Sequence, residues 1–576
     1  MRASMRKIIL PLAFVMACFL VLVSCEQESS QEMPQEISER DVVDDTDPSA
    51  APEQEQHPVY RERGLQRYDP PIELSFVGEN SIFIEDLTRT FPGETLSDNR
   101  WTRLYEDVLG IKIVYDWIEK GDMYGKKLGV AISSGNIPDV VRVDASQLRL
   151  LSNAGRIQDL TEAYEEYATD FTKEVLTQEG LSPFQAATIE GKLMGIPQID
   201  SSIDKASLIW IRTDWLDNLG LEPPRTMDEL IEIAKAFTEK DPDQNGVNDT
   251  FGLAATHYLW DPVAGLAGFM AGYHAYPQLW IDDGNGGLVY GGIQPEVKVA
   301  LAQLQELYRQ GVLDPSFALK KGEQVKQDIA DGKIGIMYGE QWGAFHVAGS
   351  RDTDPNANWQ AYPIVSADDH PPKVPLKFTT SSFFAVRTGY EHPEAIVKLF
   401  NLHLEKNWGE TAEYEVYYND SGSIWQMSPV TPYPPMKNLN AFREIRSYEK
   451  GELTAFKTQE AQAIWKYIQS YREDGYGGGW GWERIYGPHG AYAIIDAYEK
   501  NGQLLYDQFT GVSTPTMIDQ DKFLHNLQNE TYINIILGEP LEEFDRFVEQ
   551  WRSLGGDQIT REVNEWYQTH VTNTGR

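Results

Sequence analysis

From Pro70 onward, short apolar runs alternate with capped amphipathic stretches, and this alternation narrows the possible folds more than any single motif does. Ile72, Leu74 and Phe76 alternate with polar residues, Ile111–Trp117 repeats the pattern, and Val140–Val143 follows the turn Ser134-Gly-Asn-Ile-Pro-Asp139. Helical stretches lie between them at Trp101–Leu109 and Ala145–Ala154. The first 130 residues of this body therefore read as βαβ units on a largely parallel sheet. A second set starts with the strand-like Ala206–Arg212, followed by a helix that Gly220 can end. Thr226-Met-Asp-Glu229 is a capping box for a helix over Met227–Thr238, with Leu230, Ile231, Ala234 and Phe237 on one face. Pro295 and Gly311 bracket another helix, Lys333–Tyr338 reads as a buried strand, and Phe378–Arg387 and Pro393–Leu404 continue the alternation. From Asp519 the pattern is helical, with Trp551 and Trp566 on faces that point to the core. No segment recurs at a fixed period, which excludes propellers and solenoids. The expected architecture is two α/β lobes with helical additions.

Composition removes several functions. Lys and Arg number 50 against 88 Asp and Glu, a formal charge of −38, so no surface for gathering phosphates is expected and nucleic acid is a poor partner. The two cysteines, Cys18 and Cys25, both precede the body, which leaves no disulfide, thiol nucleophile or Cys-based metal site within it.

The start of the chain reads as an export signal. Arg2, Arg6 and Lys7 precede an apolar run from Ile8 to Val23 that is short for a membrane span. Leu22-Val-Ser-Cys25 resembles a lipoprotein processing site, which would make residues 1–24 a signal peptide and Cys25 the acylated first residue of the mature chain. Two or more acyl chains there would anchor the protein stably to the outer face of the cell membrane. Residues 25–69 are expected to form a disordered acidic tether, since Glu26–Tyr60 holds 11 acidic residues and one Arg. Its reach is roughly 35–40 Å root-mean-square. The globular body is then 70–576, with a first lobe mainly over 70–200 plus a return near 378–405. The second lobe is expected mainly over 206–370 plus much of the C-terminal region.

The sharpest chemical signal is Asp241-Pro-Asp243-Gln-Asn245-Gly-Val247-Asn-Asp249. Oxygen side chains at loop positions 1, 3, 5 and 9, Gly246 at position 6 and the Val247 carbonyl at position 7 suit a structural calcium ion. Gly252 stands where an EF-hand carries its bidentate Glu, so a switching EF-hand pair is excluded; an Asx-rich turn closing the preceding helix is the alternative. No Gly-x-Ser-x-Gly elbow, phosphate loop or His-Glu-x-x-His helix is present. Gly475–Trp482 is glycine-rich without a nucleotide fingerprint, and reads as either a mobile loop presenting Trp480 and Trp482 or a bulged turn that packs them. Trp260, Trp280, Trp342, Trp425, Trp480 and Trp482 stand at expected loops or strand ends beside carboxylates and amides, the combination that stacks on a sugar ring and replaces water at its hydroxyls. Trp342 is the foremost of these, because with Glu340 and Gln341 it follows a buried strand end, where open α/β sheets bind ligands.

Taken together, Ser134–Asp139, Ile211-Arg-Thr-Asp-Trp-Leu-Asp-Asn-Leu-Gly-Leu221, Pro224–Leu230, Asp331–Ile336, His392–Lys398 and the tail from Ile535 to Tyr567 resemble the family 1 extracellular solute-binding lipoproteins of ABC sugar importers. The acidic loop is similar to that of the alginate-oligosaccharide binding proteins, with calcium ligands mapping to Asp241, Asp243, Asn245, the Val247 carbonyl and Asp249. Thr250 stands where those proteins have a further acidic ligand. The resemblance implies a two-lobed, type II periplasmic-binding-protein-like fold that closes about a hinge on an oligosaccharide. It also implies a monomer with no catalysis of its own that delivers sugar to a membrane permease. Gln198, Asp200, Trp260, Glu340, Gln341, Trp342, Trp480 and Trp482 are the sugar-contact candidates it suggests. A surface glycoside hydrolase or polysaccharide lyase, or a sugar-sensing ectodomain, would display similar side chains.

Overall fold

The computed structural model describes residues 60–571 apart from Ser421 and Tyr476, all within one compact unit. The expected signal peptide, Cys25 and the tether up to residue 59 lie outside the described residues. The described tether residues do not behave as a spacer. Leu65 is buried in the first-lobe core, and the Lys398 ammonium and Asn401 amide donate to the carbonyls of Gln66 and Gly64 at 2.7 and 3.0 Å. Gly64 is required there, since a Cβ would fall 2.0 Å from the Tyr167 carbonyl oxygen. The body thus begins near Tyr60, ten residues before its composition suggests.

The first lobe opens with β1 (Ile72–Glu79) and β2 (Ile111–Glu119), which pair in parallel, as the βαβ pattern implies. The helix α1 (Asp122–Ser134) ends at Gly135 and leads into β3 (Val140–Val143), whose N-terminus is tied to β1 by Asp139 and Ser75. The helix α2 (Ala145–Asn153) starts on a capping box formed by Asp144 and Gln147. After β4 (Ile196–Gln198) the chain crosses to the second lobe.

There β5 (Leu208–Arg212) is fully buried, and the helix α3 (Met227–Glu239) packs its Leu230, Ile231, Ala234 and Phe237 inward. With β6 (Phe251–Leu253), β7 (Ile334–Gly339) and β8 (Trp359–Tyr362), β5 forms a sheet in the order β8-β5-β7-β6, antiparallel except for β7 with β6. The chain then returns to the first lobe as β9 (Ser382–Val386), which lies between β3 and β4 and runs antiparallel to both. The expected largely parallel sheet is thus parallel at β1 and β2 and antiparallel around β9, which arrives from the other lobe without a helical crossover. The helix α4 (Ala395–Trp408) then fills the first-lobe core.

A third crossing leads into α5 (Lys437–Glu449), α6 (Gln459–Asp474), α7 (Gly477–Tyr486) and α8 (Ala491–Lys500), and then α9 (Pro515–Ile536), α10 (Glu542–Trp551) and α11 (Asp557–Val571), all on the second lobe. The glycine-rich run is therefore a helix and not a loop. Its glycines permit close packing: a Cβ on Gly479 would meet the Tyr467 carbonyl at 2.2 Å, and one on Gly481 the Phe345 ring at 2.4 Å. Two separate apolar cores result, one over residues 65–199 and 383–430, the other over 203–376 and 439–563. The chain passes between them near 200–202, 377–382 and 431–436.

Candidate functional site

The C-terminal ends of β4 and β7 and the N-terminal end of β9 converge on these three crossings. The crossings are laced to one another by side chains. Thr379 donates its hydroxyl to the Asp200 carbonyl at 3.1 Å, and its oxygen lies 3.1 Å from that of Ser202. Tyr433 donates its hydroxyl to the Asp200 carboxylate and accepts from the Ser201 amide at 3.1 Å. Gln198 donates to the Thr431 carbonyl at 2.7 Å. From the first lobe, the Glu179 carboxylate accepts the amides of Ser202 and Ile203, each at 2.8 Å. Burial nevertheless pushes Glu179 up to about 7, because loss of water outweighs the two amides, with Asp204 and Asp200 adding repulsion.

Asp204 is buried one turn past the crossing, where it accepts from Tyr492 at 2.8 Å and from Asn438 at 2.7 Å. Burial raises its carboxyl above the ordinary range, while those two donors and Lys437 hold it back. Tyr486 donates to the Asn438 amide oxygen at 3.1 Å. Lys437 pairs with Glu460 at 2.6 Å in near-complete burial; desolvation works against its charge, but Glu460 and Tyr418 keep the ammonium protonated. Glu460 also accepts from Trp408 of the first lobe at 3.4 Å.

At the end of β7, Glu340 has one carboxylate oxygen buried without a hydrogen-bond partner, 3.7 Å from the Lys205 ammonium. Desolvation raises it, Lys205 opposes, and Asp204 and Asp200 add to the rise. Gln341 is buried; with its amide turned to suit its neighbours, its oxygen accepts from the Trp342 indole at 2.6 Å and its nitrogen donates to the Asp204 carbonyl. Trp342 is half-buried, lies face-on to Phe345 at 5.7 Å and edge-on to Trp482 at 6.1 Å. Trp482 stacks on Tyr467 at 5.3 Å with planes 13° apart. On the first-lobe side Tyr418 stacks on Trp425 at 6.0 Å and lies 5.7 Å from the Lys437 ammonium.

Gln198, Asp200, Glu340, Gln341, Trp342 and Trp482 are thus gathered at the junction. Trp480 is not: it is buried in the second lobe between Arg351 and Arg484, 5.0 and 5.7 Å from its ring. Trp260 packs edge-on against Tyr532 of α9 at 6.1 Å, and Trp280 is buried against Tyr290 and Phe509. Trp480 sits within α7, and Trp260 and Trp280 are packed by residues far along the chain, Tyr532 and Phe509 among them, which local sequence does not reveal. Tyr433, Lys205, Lys437 and Tyr418 were missed as site residues, and nothing in their neighbourhoods marks them.

The acidic loop closes on itself. Asp241 accepts from the amides of Asn245 and Gly246 at 3.1 and 3.0 Å, and the Asn245 side chain donates to Asp243 at 2.7 Å. Asp241, Gln244 and Gly246 all take left-handed φ, at 47°, 57° and 81°. Burial and the neighbouring Asp241 raise the Asp243 carboxyl, with Asp249 contributing. Thr250 donates to the Phe237 carbonyl of α3 at 2.6 Å, so its hydroxyl serves the helix end. Among the described residues no three His, Cys, Asp or Glu side chains stand close enough to form a metal cluster by themselves.

Two lobes with independent cores, joined by three adjacent crossings and meeting over aromatic rings and buried carboxylates, are the architecture of a solute-binding protein. The sequence comparisons agree. The model of the family described as bacterial extracellular solute-binding protein matches residues 90–406, more than half of the chain, and the protein belongs to that family. It is 26% identical over 461 residues to the polygalacturonan/rhamnogalacturonan-binding protein YtcQ of Bacillus subtilis (strain 168), covering 77% of this chain and 83% of that one. It is 23% identical over 487 residues to lipoprotein LipO of the same strain, covering 81% and 88%. Among solved structures, alginate-binding protein AlgQ2 without calcium ion superposes with a TM-score of 0.56 at 15% identity, covering 88% of this chain and all of that one.

Proposed function

We propose that this protein is the oligosaccharide-capturing component of an ABC importer, held on the outer face of the cell membrane by lipid on Cys25 and handing its cargo to a permease. The lacing of Asp200, Thr379 and Tyr433 across all three crossings carries this reading: it fixes one hinge line while leaving the two cores free to rotate about it. Ligand that touches both lobes then favours the closed form by its differential affinity alone. Trp342, backed by the buried Trp482, offers a ring, while Asp200, Glu340 and Gln198 offer short polar groups for hydroxyls. No bond-making role is assigned to these residues, and the protein acts as a monomer. Among the described residues no helix is long and apolar enough to cross a membrane, consistent with attachment through a lipid.

The test is titration calorimetry of the purified full-length chain in detergent against a panel of oligosaccharides. Saturable binding is expected, weakened at least tenfold in Trp342→Ala with little change in melting temperature. Cleavage of a glycan without saturable binding would reject the proposal.

The acidic loop fits a structural calcium ion, because its left-handed turns bring Asp241 and Asp243 into contact and leave Asp249 close enough to repel them. Asp241, Asp243, Asn245, the Val247 carbonyl and Asp249 would hold it, and it would supply neutralisation of those three carboxylates. Thr250, engaged with α3, is not among the ligands.

A further inference from the structure

The hinge end of the first-lobe sheet carries an arginine that nothing above has used. Arg142 lies on β3, beside β9, which in turn lies beside β4. Its Nε donates to the Ser382 hydroxyl at 3.0 Å, and Ser382 pairs in register with Gln198 of the candidate site. Arg142 therefore stands one strand away from the junction, at the same end of the sheet. It is exposed, and the protein around it disfavours its charge by partial desolvation. The groups that face it are Glu79, at the end of β1, and Tyr124, of α1. Among the described residues it has no carboxylate at ion-pair distance. Only its Nε is committed, to Ser382, so the terminal nitrogens at this end of the sheet can take an anion. Tyr124 continues into Trp117, ring centroids 5.7 Å apart, and so supplies an aromatic wall beside the guanidinium.

From this we infer that the first-lobe side of the cleft is a subsite for a carboxylate-bearing sugar ring, with Arg142 taking the carboxylate on its fork and Tyr124 covering the ring. An Arg fork matches both oxygens of a carboxylate and is wasted on a hydroxyl. The floor near Glu340 and Asp200 is acidic, so the negative group of the ligand belongs at the Arg142 end and a neutral part over the floor. This inference rests on the oligosaccharide-binding reading and adds the charge and orientation of the ligand.

The experiment compares trigalacturonate, its fully methyl-esterified form and the neutral fructan nystose, titrated into the full-length chain in detergent. Trigalacturonate is expected to bind at least tenfold more tightly than the ester. Arg142→Gln should remove that preference and leave the ester within twofold of wild type, while Arg142→Lys should keep only part of it. Lys173→Gln, which removes one exposed positive charge from the first lobe, should change neither ligand by more than twofold. Equal affinity for acid and ester, or an equal loss for both in Arg142→Gln, would overturn the subsite. Saturable binding of nystose without trigalacturonate would also overturn it and leave the oligosaccharide reading standing; no binding of any glycan would remove both.

Discussion

The hinge and the loop at 241–249 are both rich in carboxylates, but they handle that charge in opposite ways. In the hinge, Asp204 is held by Tyr492 and Asn438, more than two hundred residues away, and Glu460 by Lys437 and Trp408. In the loop, Asp241 and Asp243 are held by amides no more than five residues on. The hinge groups are buried and must be matched by partners fixed through the whole fold, so an error in one is expensive. The loop stays wet, so its hydrogen bonds are worth little and repulsion among its carboxylates is what remains to be relieved. The first arrangement stabilises one conformation of the polypeptide, and the second leaves its carboxylates in repulsion at the surface.

The largest effect should come from the buried ion pair. Lys437→Met leaves Glu460 charged and dry, and about 3–5 kcal/mol of stability should be lost in urea unfolding. Lys437→Met combined with Glu460→Met should recover most of it; a single change costing under about 1 kcal/mol would show that the hinge is as wet as the loop. Asp204→Ala orphans two buried donors and should cost about 2–4 kcal/mol by the same measurement, whereas Asp243→Ala without calcium should be neutral or slightly stabilising.

A third prediction concerns pH. Glu179 titrates near 7 when folded against an ordinary 4.5, so between these values the folded state keeps a proton that the unfolded chain has released. Stability must therefore fall as pH rises through this window, by up to about 1.4 kcal/mol per unit from this group. Asp507, also pushed up to about 7 by burial, adds a slope of the same sign. Glu179→Gln should flatten the profile by one proton's share, and an unchanged slope would remove Glu179 from the account. The smallest effect is expected in the loop: millimolar calcium should raise the melting temperature by about 2–4 °C over chelator, and Asp241→Ala should abolish the difference.

Much of the fold was legible because it rests on local rules. The alternation from Ile72 to Val143, the N-cap at Thr226 and the helical tail through Trp551 all appear where their patterns place them, although Glu229 caps the Arg225 amide and not that of Thr226. The glycine-rich run at 475–482 was misread for a reason that is equally physical. Glycine disfavours helix by propensity, but here the gain from packing against Tyr467 and Phe345 outweighs that cost. The six tryptophans expected at loops or strand ends divided according to which distant segments pack on them, with Trp480 and Trp482 falling within α7.

The sequence alone determined the α/β class, the family and the composition of the acidic loop, because each is written in neighbouring residues or in a fixed spacing. Only the tertiary structure decided that β9 enters the first sheet antiparallel, that three crossings lie side by side, and that Gln198, Asp200, Glu340, Trp342 and Tyr433 share one junction. These residues come from segments up to 235 positions apart, as from Gln198 to Tyr433. What brings them together is the burial of two separate cores, a global balance that no local pattern records.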